Sequence, residues 1–390
     1  MFLFLLLTPS LLAPHARAHP SVAASEPAAT SPANPLPSFP GLPPPPLSAK
    51  AAYVFDATVG TELYAVNADD RRAPASLTKV ATALVVLQKG NLDDTVVIEE
   101  TDLADTSESQ VGLEVGDTLT VRDLLYGLLI PSGNDAARAL ARHVGASLPG
   151  GDPANGGDPL AAFVGEMNAL VTSLDLSNTH FSNPTGLDEQ DHFSSARDLA
   201  ILAAMGMKEA LFAQIVGSST AVLASKKRPG GYPVNTTDDL LLEGLVQGVK
   251  TGTTPKAGGC LISSAMFGSN RVISVVLGST AEPNEADILE SPARFNDARA
   301  ILAAIPNDFQ WLDPSAPGAV NHLDEELSVW QTTLSPGPMV VVPTAHLDDL
   351  RYRLQLGPPR KANEEVGKVL FFVGPDLLTQ RTVLQAPGSG

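Results

Sequence analysis

The chain is short of cysteine, of positive charge and of long apolar runs. A single cysteine, Cys260, in 390 residues excludes an internal disulfide. That scarcity assigns no compartment by itself, because many exported bacterial proteins lack cysteine. Cys260 sits in the apolar run Gly259-Cys260-Leu261-Ile262, where a small buried hydrophobe is its expected role. Lys and Arg number 25 against 43 Asp and Glu, a net charge of −18. That balance argues against nucleic acid as a partner and against electrostatic docking on anionic lipid. Any site for a carboxylate must then be a local positive pocket. The seven histidines are scattered without ligand spacing, so no metal and no cofactor is expected.

The apolar run over residues 2–13 is too short, and too broken by Pro9, to span a bilayer. Ala16-Arg17-Ala18 follows as a small-x-small cleavage pattern, although no Lys or Arg precedes the run. Residues 1–18 therefore read as a secretory signal peptide, and the protein as exported. Residues 19–47 shift to Pro, Ala and Ser and end in Pro43-Pro44-Pro45-Pro46, the composition of a semi-rigid spacer. The remaining length suits one larger domain, 48–306, and a smaller one, 307–390. An apolar content of 44% is enough for a real core.

What the sequence does hold is a stretch that the rest is organised around, Pro74-Ala75-Ser76-Leu77-Thr78-Lys79. Val80, Ala83, Leu84 and Leu87 follow at i, i+3, i+4 and i+7, the stripe of a buried helix face, and Gly90 supplies a stop. The spacing puts Ser76 and Lys79 one turn apart on one side. A serine hydroxyl is a weak nucleophile at neutral pH, and a neutral amine within reach is the base it needs. Taken alone, Ser-x-x-Lys is more often a capped core helix with a surface lysine. Two later clusters change that weighting: Pro131-Ser132-Gly133-Asn134 after an apolar helix over Val121–Leu129, and Gly248-Val249-Lys250-Thr251-Gly252-Thr253 before a strand-like run. In this order the three are a strong signal for an active-site-serine, penicillin-recognising enzyme.

Strands are expected at Ala51–Asp56 and Glu62–Val66, and again at Gly258–Phe267 and Arg271–Gly278 around a Gly268-Ser269-Asn270 turn. Helices are expected at Ala136–Val144, Phe163–Leu174 and Arg294–Leu302, with 149–159 as a surface loop. Hairpins from both ends of a long helical middle imply one antiparallel sheet with helices packed on it. Short β-like runs at Met339–Pro343, Arg351–Leu356, Lys368–Phe372 and Thr382–Leu384 imply a small β-rich C-terminal domain.

From about Lys50 to Ile305 the chain resembles the serine-type D-alanyl-D-alanine carboxypeptidases, the low-molecular-mass penicillin-binding proteins. Beyond the three clusters, the likeness rests on Asp123-Leu124-Leu125-Tyr126-Gly127, Phe181-Ser182-Asn183-Pro184-Thr185-Gly186-Leu187 and Ser195-Ala196-Arg197-Asp198. It implies an α/β (α+β) fold of the β-lactamase/transpeptidase type. It also implies removal of the terminal D-alanine from peptidoglycan stem peptides through an acyl-enzyme, with β-lactam antibiotics as covalent inhibitors.

On that resemblance Ser76 is the nucleophile, Lys79 the general base, Ser132 the proton relay, and Asn134 a partner of both the substrate amide and Lys79. The N–H groups of Ser76 and Thr253 would form the oxyanion hole. Lys250, Thr251, Gly252 and Arg294 would line the site for the substrate's carboxylate. Family members often end in an amphipathic membrane-associating helix, and this sequence ends at Ala386-Pro387-Gly388-Ser389-Gly390 without one, which leaves membrane association open. Thr185 stands where some members have His. The readings left beside the carboxypeptidase are a serine β-lactamase, a D,D-endopeptidase and a non-catalytic wall-binding protein. No Glu-x-x-Leu-Asn pattern lies between Asn134 and Lys250 to supply a β-lactamase's deacylating carboxylate, and Glu166 falls on an amphipathic helix.

Overall fold

The structure, a computed structural model, describes residues 42–387. The signal peptide expected at 1–18 and most of the spacer lie outside the described residues. Within the remainder of the spacer, Leu42 and Leu47 pack against apolar residues of the core.

Strands β1 (Ala51–Asp56) and β2 (Thr61–Val66) form the expected N-terminal hairpin. Strands β3 (Val249–Thr254), β4 (Gly258–Phe267) and β5 (Asn270–Ser279) come from the other end of the helical middle. All five join one antiparallel sheet in the order β2-β1-β5-β4-β3, so β3 is an edge. The period of two sorts side chains to opposite faces. Ala51, Tyr53 and Phe55 of β1 enter one core with Ile273, Val275 and Leu277 of β5. Ala52 and Val54 enter a second core with Val272 and Val276. Burial on both faces explains why β1 reads as a continuous apolar run rather than an alternating one.

The first face carries the helical middle: α1 (Lys79–Lys89), α2 (Val121–Leu129), α3 (Asn134–Gly145), α4 (Pro159–Ser173), α5 (Ala196–Gly206) and α6 (Ala210–Val216). The stripe expected on α1 understates its burial. Ala81, Thr82, Val85 and Val86 are also inside, as befits a helix surrounded by others. After the short α7 (Asp239–Leu242), α8 (Pro292–Asp308) covers the second face with Phe295, Ala298, Ile301 and Ile305.

Beyond α8 the chain is β-rich, as expected. Strand β6 (Phe309–Leu312) pairs with β8 (Val340–Pro343), while β7 (Thr332–Leu334), β9 (Leu350–Leu356), β10 (Glu365–Val373) and β11 (Asp376–Gln385) form a sheet in the order β7-β11-β10-β9. A helix that the sequence did not suggest, α9 (Leu323–Val329), packs into this module's own core. The module is stitched to the main sheet through Asp56. Its Oδ2 accepts from Trp311 Nε1 at 2.9 Å and from Asn270 Nδ2 at 2.7 Å.

Candidate active site

Ser76 sits in a single 3-10 turn, Ala75–Thr78, that runs directly into α1. The turn is entered with Ala75 in the left-handed region, φ +50°. Two glycines allow neighbouring backbone to close on it. A Cβ at Gly252 would lie 2.8 Å from the Ser76 nitrogen, so β3 packs directly on the serine turn; Gly186, φ +89°, lies against Ala75 from the other side.

Lys79 is fully buried, which rules out the surface-lysine reading. Its Nζ donates to Ser76 Oγ at 2.9 Å, to Asn134 Oδ1 at 2.6 Å and to the Thr185 carbonyl at 2.7 Å. Burial, and then the charge of Lys250, hold this amine well below the ordinary lysine value.

Asn134 opens α3, and Ser132, two residues before it, is also left-handed at φ +66°. The Ser132 hydroxyl is buried and has no hydrogen-bond partner. Fully buried Asp135 accepts the N–H groups of Val111, Gly112 and Leu113 at 2.9–3.1 Å. It thereby pins the segment 107–113 against the helix start. That segment brings a residue that the sequence did not single out. Glu108 Oε2 accepts from Asn134 Nδ2 at 2.5 Å, and Arg138 Nη2 bonds both oxygens of Glu108 at 2.9 and 3.0 Å. Burial raises the pKa of Glu108, but the hydrogen bonds from Asn134 and Arg138 outweigh it and leave the carboxyl below its usual range. Arg138 lies one turn beyond Asn134 on the same helix, a spacing that could have flagged it.

Across the cleft, Lys250 is 2% exposed, and its Nζ donates to the Thr251 carbonyl at 2.9 Å. Burial, and then Arg294, push it down to about 7. Thr251 Oγ1 meets Thr237 Oγ1 at 2.5 Å. Arg294, in the first turn of α8, reaches back so that Nη1 donates to the Gly252 carbonyl at 3.1 Å and to Thr253 Oγ1. The Ser264 N–H donates to the Gly248 carbonyl at 2.8 Å. From that pair, the alternation of an antiparallel ladder turns the N–H groups of Thr251 and Thr253 towards the open edge of the sheet. Every residue expected in the site thus lines one cleft of about 670 Å³ or lies directly behind it. Ser76, Ser132, Asn134, Thr251, Gly252, Thr253 and Arg294 face the cleft, with Lys79 and Lys250 behind them.

Glu166 is elsewhere: it leaves α4 to pair with Lys89 at 2.8 Å. Among the described residues no group of His, Cys, Asp and Glu is arranged to hold a metal ion, and no single helix is long and apolar enough to cross a membrane.

An antiparallel sheet flanked by helices, with a serine and a buried lysine one turn apart facing a Lys-Thr-Gly edge strand, defines the penicillin-recognising serine enzymes. The chain belongs to the D-alanyl-D-alanine carboxypeptidase family, whose model matches residues 41–281. It is similar to a D-alanyl-D-alanine carboxypeptidase of Streptomyces sp. (strain K15), at 35% identity over 66% of this chain and 87% of that one. The likeness to D-alanyl-D-alanine carboxypeptidase DacC of Escherichia coli (strain K12), at 31% identity, extends over 87% of this chain and 84% of the relative. Among solved structures, the Streptomyces K15 DD-transpeptidase superposes with a TM-score of 0.60 at 36% identity, over 67% of this chain and 98% of that one. Penicillin binding protein 5 from Haemophilus influenzae, at 24% identity and a TM-score of 0.64, shares the fold over 89% of this chain and 98% of its own.

Proposed function

We propose that the protein is a serine-type D-alanyl-D-alanine carboxypeptidase in which Ser76 Oγ attacks the carbonyl of the terminal D-Ala-D-Ala bond of a peptidoglycan stem peptide. D-Alanine leaves, and water hydrolyses the acyl-enzyme. Neutral Lys79 takes the Ser76 proton, and Ser132, whose hydroxyl has no partner of its own, passes a proton to the leaving nitrogen. The backbone N–H groups of Ser76 and Thr253 hold the developing oxyanion. Lys250, Thr251 and Arg294 receive the terminal carboxylate, a positive pocket in a chain of net charge −18. Asn134 orients Lys79 through Oδ1, while its Nδ2 is already engaged by Glu108.

The observation that carries this reading is the Lys79 amine: buried, held below its ordinary pKa and 2.9 Å from the serine oxygen. β-Lactams would acylate Ser76 by the same attack and block it. A stem-peptide substrate puts the work outside the cytoplasm, in keeping with the leader expected at 1–18.

Incubating the protein and Ser76→Ala with a fluorescent penicillin, followed by a denaturing gel, tests this. Covalent label on the parent alone is expected, together with D-alanine release from a D-Ala-D-Ala peptide. The Streptomyces neighbour is described as a DD-transpeptidase, so transfer to an amine acceptor is measured beside hydrolysis. The β-lactamase reading requires rapid loss of label. It finds little support, because Glu166 is tied to Lys89 and Glu108 to Arg138. Cross-linked muropeptides distinguish the D,D-endopeptidase. Absence of label together with absence of β-lactam turnover would leave a wall-binding protein.

A further inference from the structure

A buried histidine with no part in the proposed chemistry is bonded to the serine turn. His192 is 1% exposed, and the paired backbones His180–Phe193 and Arg72–Ser194 clamp the chain just beyond it. Its ring packs against Phe181, with centroids 5.6 Å apart. The Ser182 N–H donates to Nδ1 at 3.0 Å, so Nδ1 is the acceptor and Nε2 carries the proton. Nε2 therefore donates to Thr78 Oγ1, at 2.8 Å. The Thr78 hydroxyl in turn donates to the Ala75 carbonyl, at 2.9 Å. A fixed imidazole is thus joined, through one hydroxyl, to one backbone oxygen of the turn. Burial pushes the ring down to about 4, so at neutral pH it keeps this uncharged form.

The Ala75 carbonyl and the Ser76 N–H belong to one planar peptide and point in opposite directions, so holding the oxygen aims the N–H. The aim needs holding. Ala75 is left-handed at φ +50°, a conformation that an alanine keeps only where its surroundings impose it. We infer that His192 is a positioning residue for the oxyanion hole, aiming the Ser76 N–H through Thr78 and the Ala75 carbonyl. The inference rests on the Ser76 N–H being an oxyanion donor, as proposed above. Hydrogen bonds in series also polarise one another, so a carbonyl that accepts makes the N–H of its own peptide a better donor. An oxyanion develops only on the way to the tetrahedral intermediate, so loss of this aim falls on kcat and spares KM.

Amide side chains separate the two bonds of the ring. His192→Gln can place an N–H where Nε2 stood, whereas His192→Asn is too short to reach Thr78 and replaces only the Nδ1 acceptor. For a D-Ala-D-Ala peptide, kcat is expected to fall roughly 10- to 100-fold in His192→Asn and in Thr78→Val, with KM nearly unchanged. His192→Gln and Thr78→Ser should recover most of that loss. The His192→Asn, Thr78→Val double mutant should be no slower than Thr78→Val alone, because the chain is already cut at the hydroxyl. The acid limb of acylation should keep its midpoint in every variant, since no bond to Lys79 Nζ has been altered. Equal losses in the Gln and Asn variants, additive losses in the double mutant, or a loss carried by KM overturns the inference. If circular dichroism shows His192→Asn unfolded, Thr78→Val against Thr78→Ser makes the same comparison. Penicillin labelling in the same preparations keeps the two readings apart. Label at Ser76 with kcat unchanged in Thr78→Val removes only His192, whereas label on Ser76→Ala removes the underlying mechanism.

Discussion

Gly186 lies so close to Ala75 that a Cβ on it would come within 1.9 Å of the Ala75 carbonyl oxygen. The loop that carries Thr185 and Gly186 is thus the back wall of the serine turn. The neighbouring Thr185 carbonyl also accepts a hydrogen bond from Lys79 Nζ. Gly186→Ala should displace the turn, and a shift of about 1 Å at a nucleophile costs on the order of 10²-fold in rate. Stopped-flow acylation by penicillin should show that loss, with circular dichroism still reporting a folded protein.

Lys79 sets the acid side of acylation. Its folded pKa is depressed by burial and by Lys250, and only the neutral amine can take the serine proton. The acylation rate at fixed penicillin should therefore fall as pH drops through the Lys79 pKa. Lys79→Arg, a side chain that stays protonated at all accessible pH, should acylate at least about 10²-fold more slowly.

Glu108 holds Asn134 by one short hydrogen bond and is itself gripped by Arg138. Glu108→Gln weakens a charge-assisted contact worth about 1.5–3 kcal/mol, so acylation should fall roughly 10- to 100-fold. Arg138→Ala should fall in the same direction and, in the double mutant, less than additively. Additive losses in that cycle would show that the two residues act independently.

Glu166 offers a contrast. It is committed to Lys89 at the end of α1, and neither residue lines the cleft, so Glu166→Gln should leave the lifetime of the penicillin label unchanged. A lengthened lifetime would reopen the β-lactamase reading.

Asp117 is fully buried and accepts from Ser225 Oγ, Tyr232 Oη and the N–H groups of Thr118 and Lys227. Burial raises its pKa, but these bonds prevail and bring it down to about 2 from 3.8. A carboxyl depressed on folding stabilises fully above its unfolded value, and that stability is lost as pH falls through the folded one. Asp117→Asn should lower the urea unfolding free energy by about 2 kcal/mol at pH 7, with the gap to the parent closing between pH 4 and 2.

Legibility in the sequence followed period and motif. The helix over Val121–Leu129 carries its own periodicity, the strands over Ala51–Asp56 and Gly258–Phe267 are apolar runs bounded by turn residues, and the structure places all three at those bounds. Ser76, Lys79, Ser132, Asn134, Lys250 and Thr251 could be read because their spacing is local. Glu108, Thr237 and Asp238 could not. Glu108 and Thr237 each meet their partner only through a contact distant in the chain, in segments with no repeat of their own, and the Asp238 carboxylate makes only a local cap to Leu240. The helix Leu323–Val329 was missed for a different reason. It is seven residues long, opens with Asp324, Glu325 and Glu326, and buries only Leu323 and Leu327, too short a stripe to stand out.

Asp56 is a carboxylate sealed inside the protein, and one of the two donors on its Oδ2 is an indole from the strand that begins the C-terminal module. That strand also lends Phe309 and Trp311 to the packing over the sheet's second face. Cutting the chain after α8 would uncover this apolar surface and strip a donor from a buried anion in β1, the strand at the centre of the hairpin that starts the fold. The β-rich module is a buttress for the enzyme half rather than a detachable appendage, and melting of the two should be felt as one event.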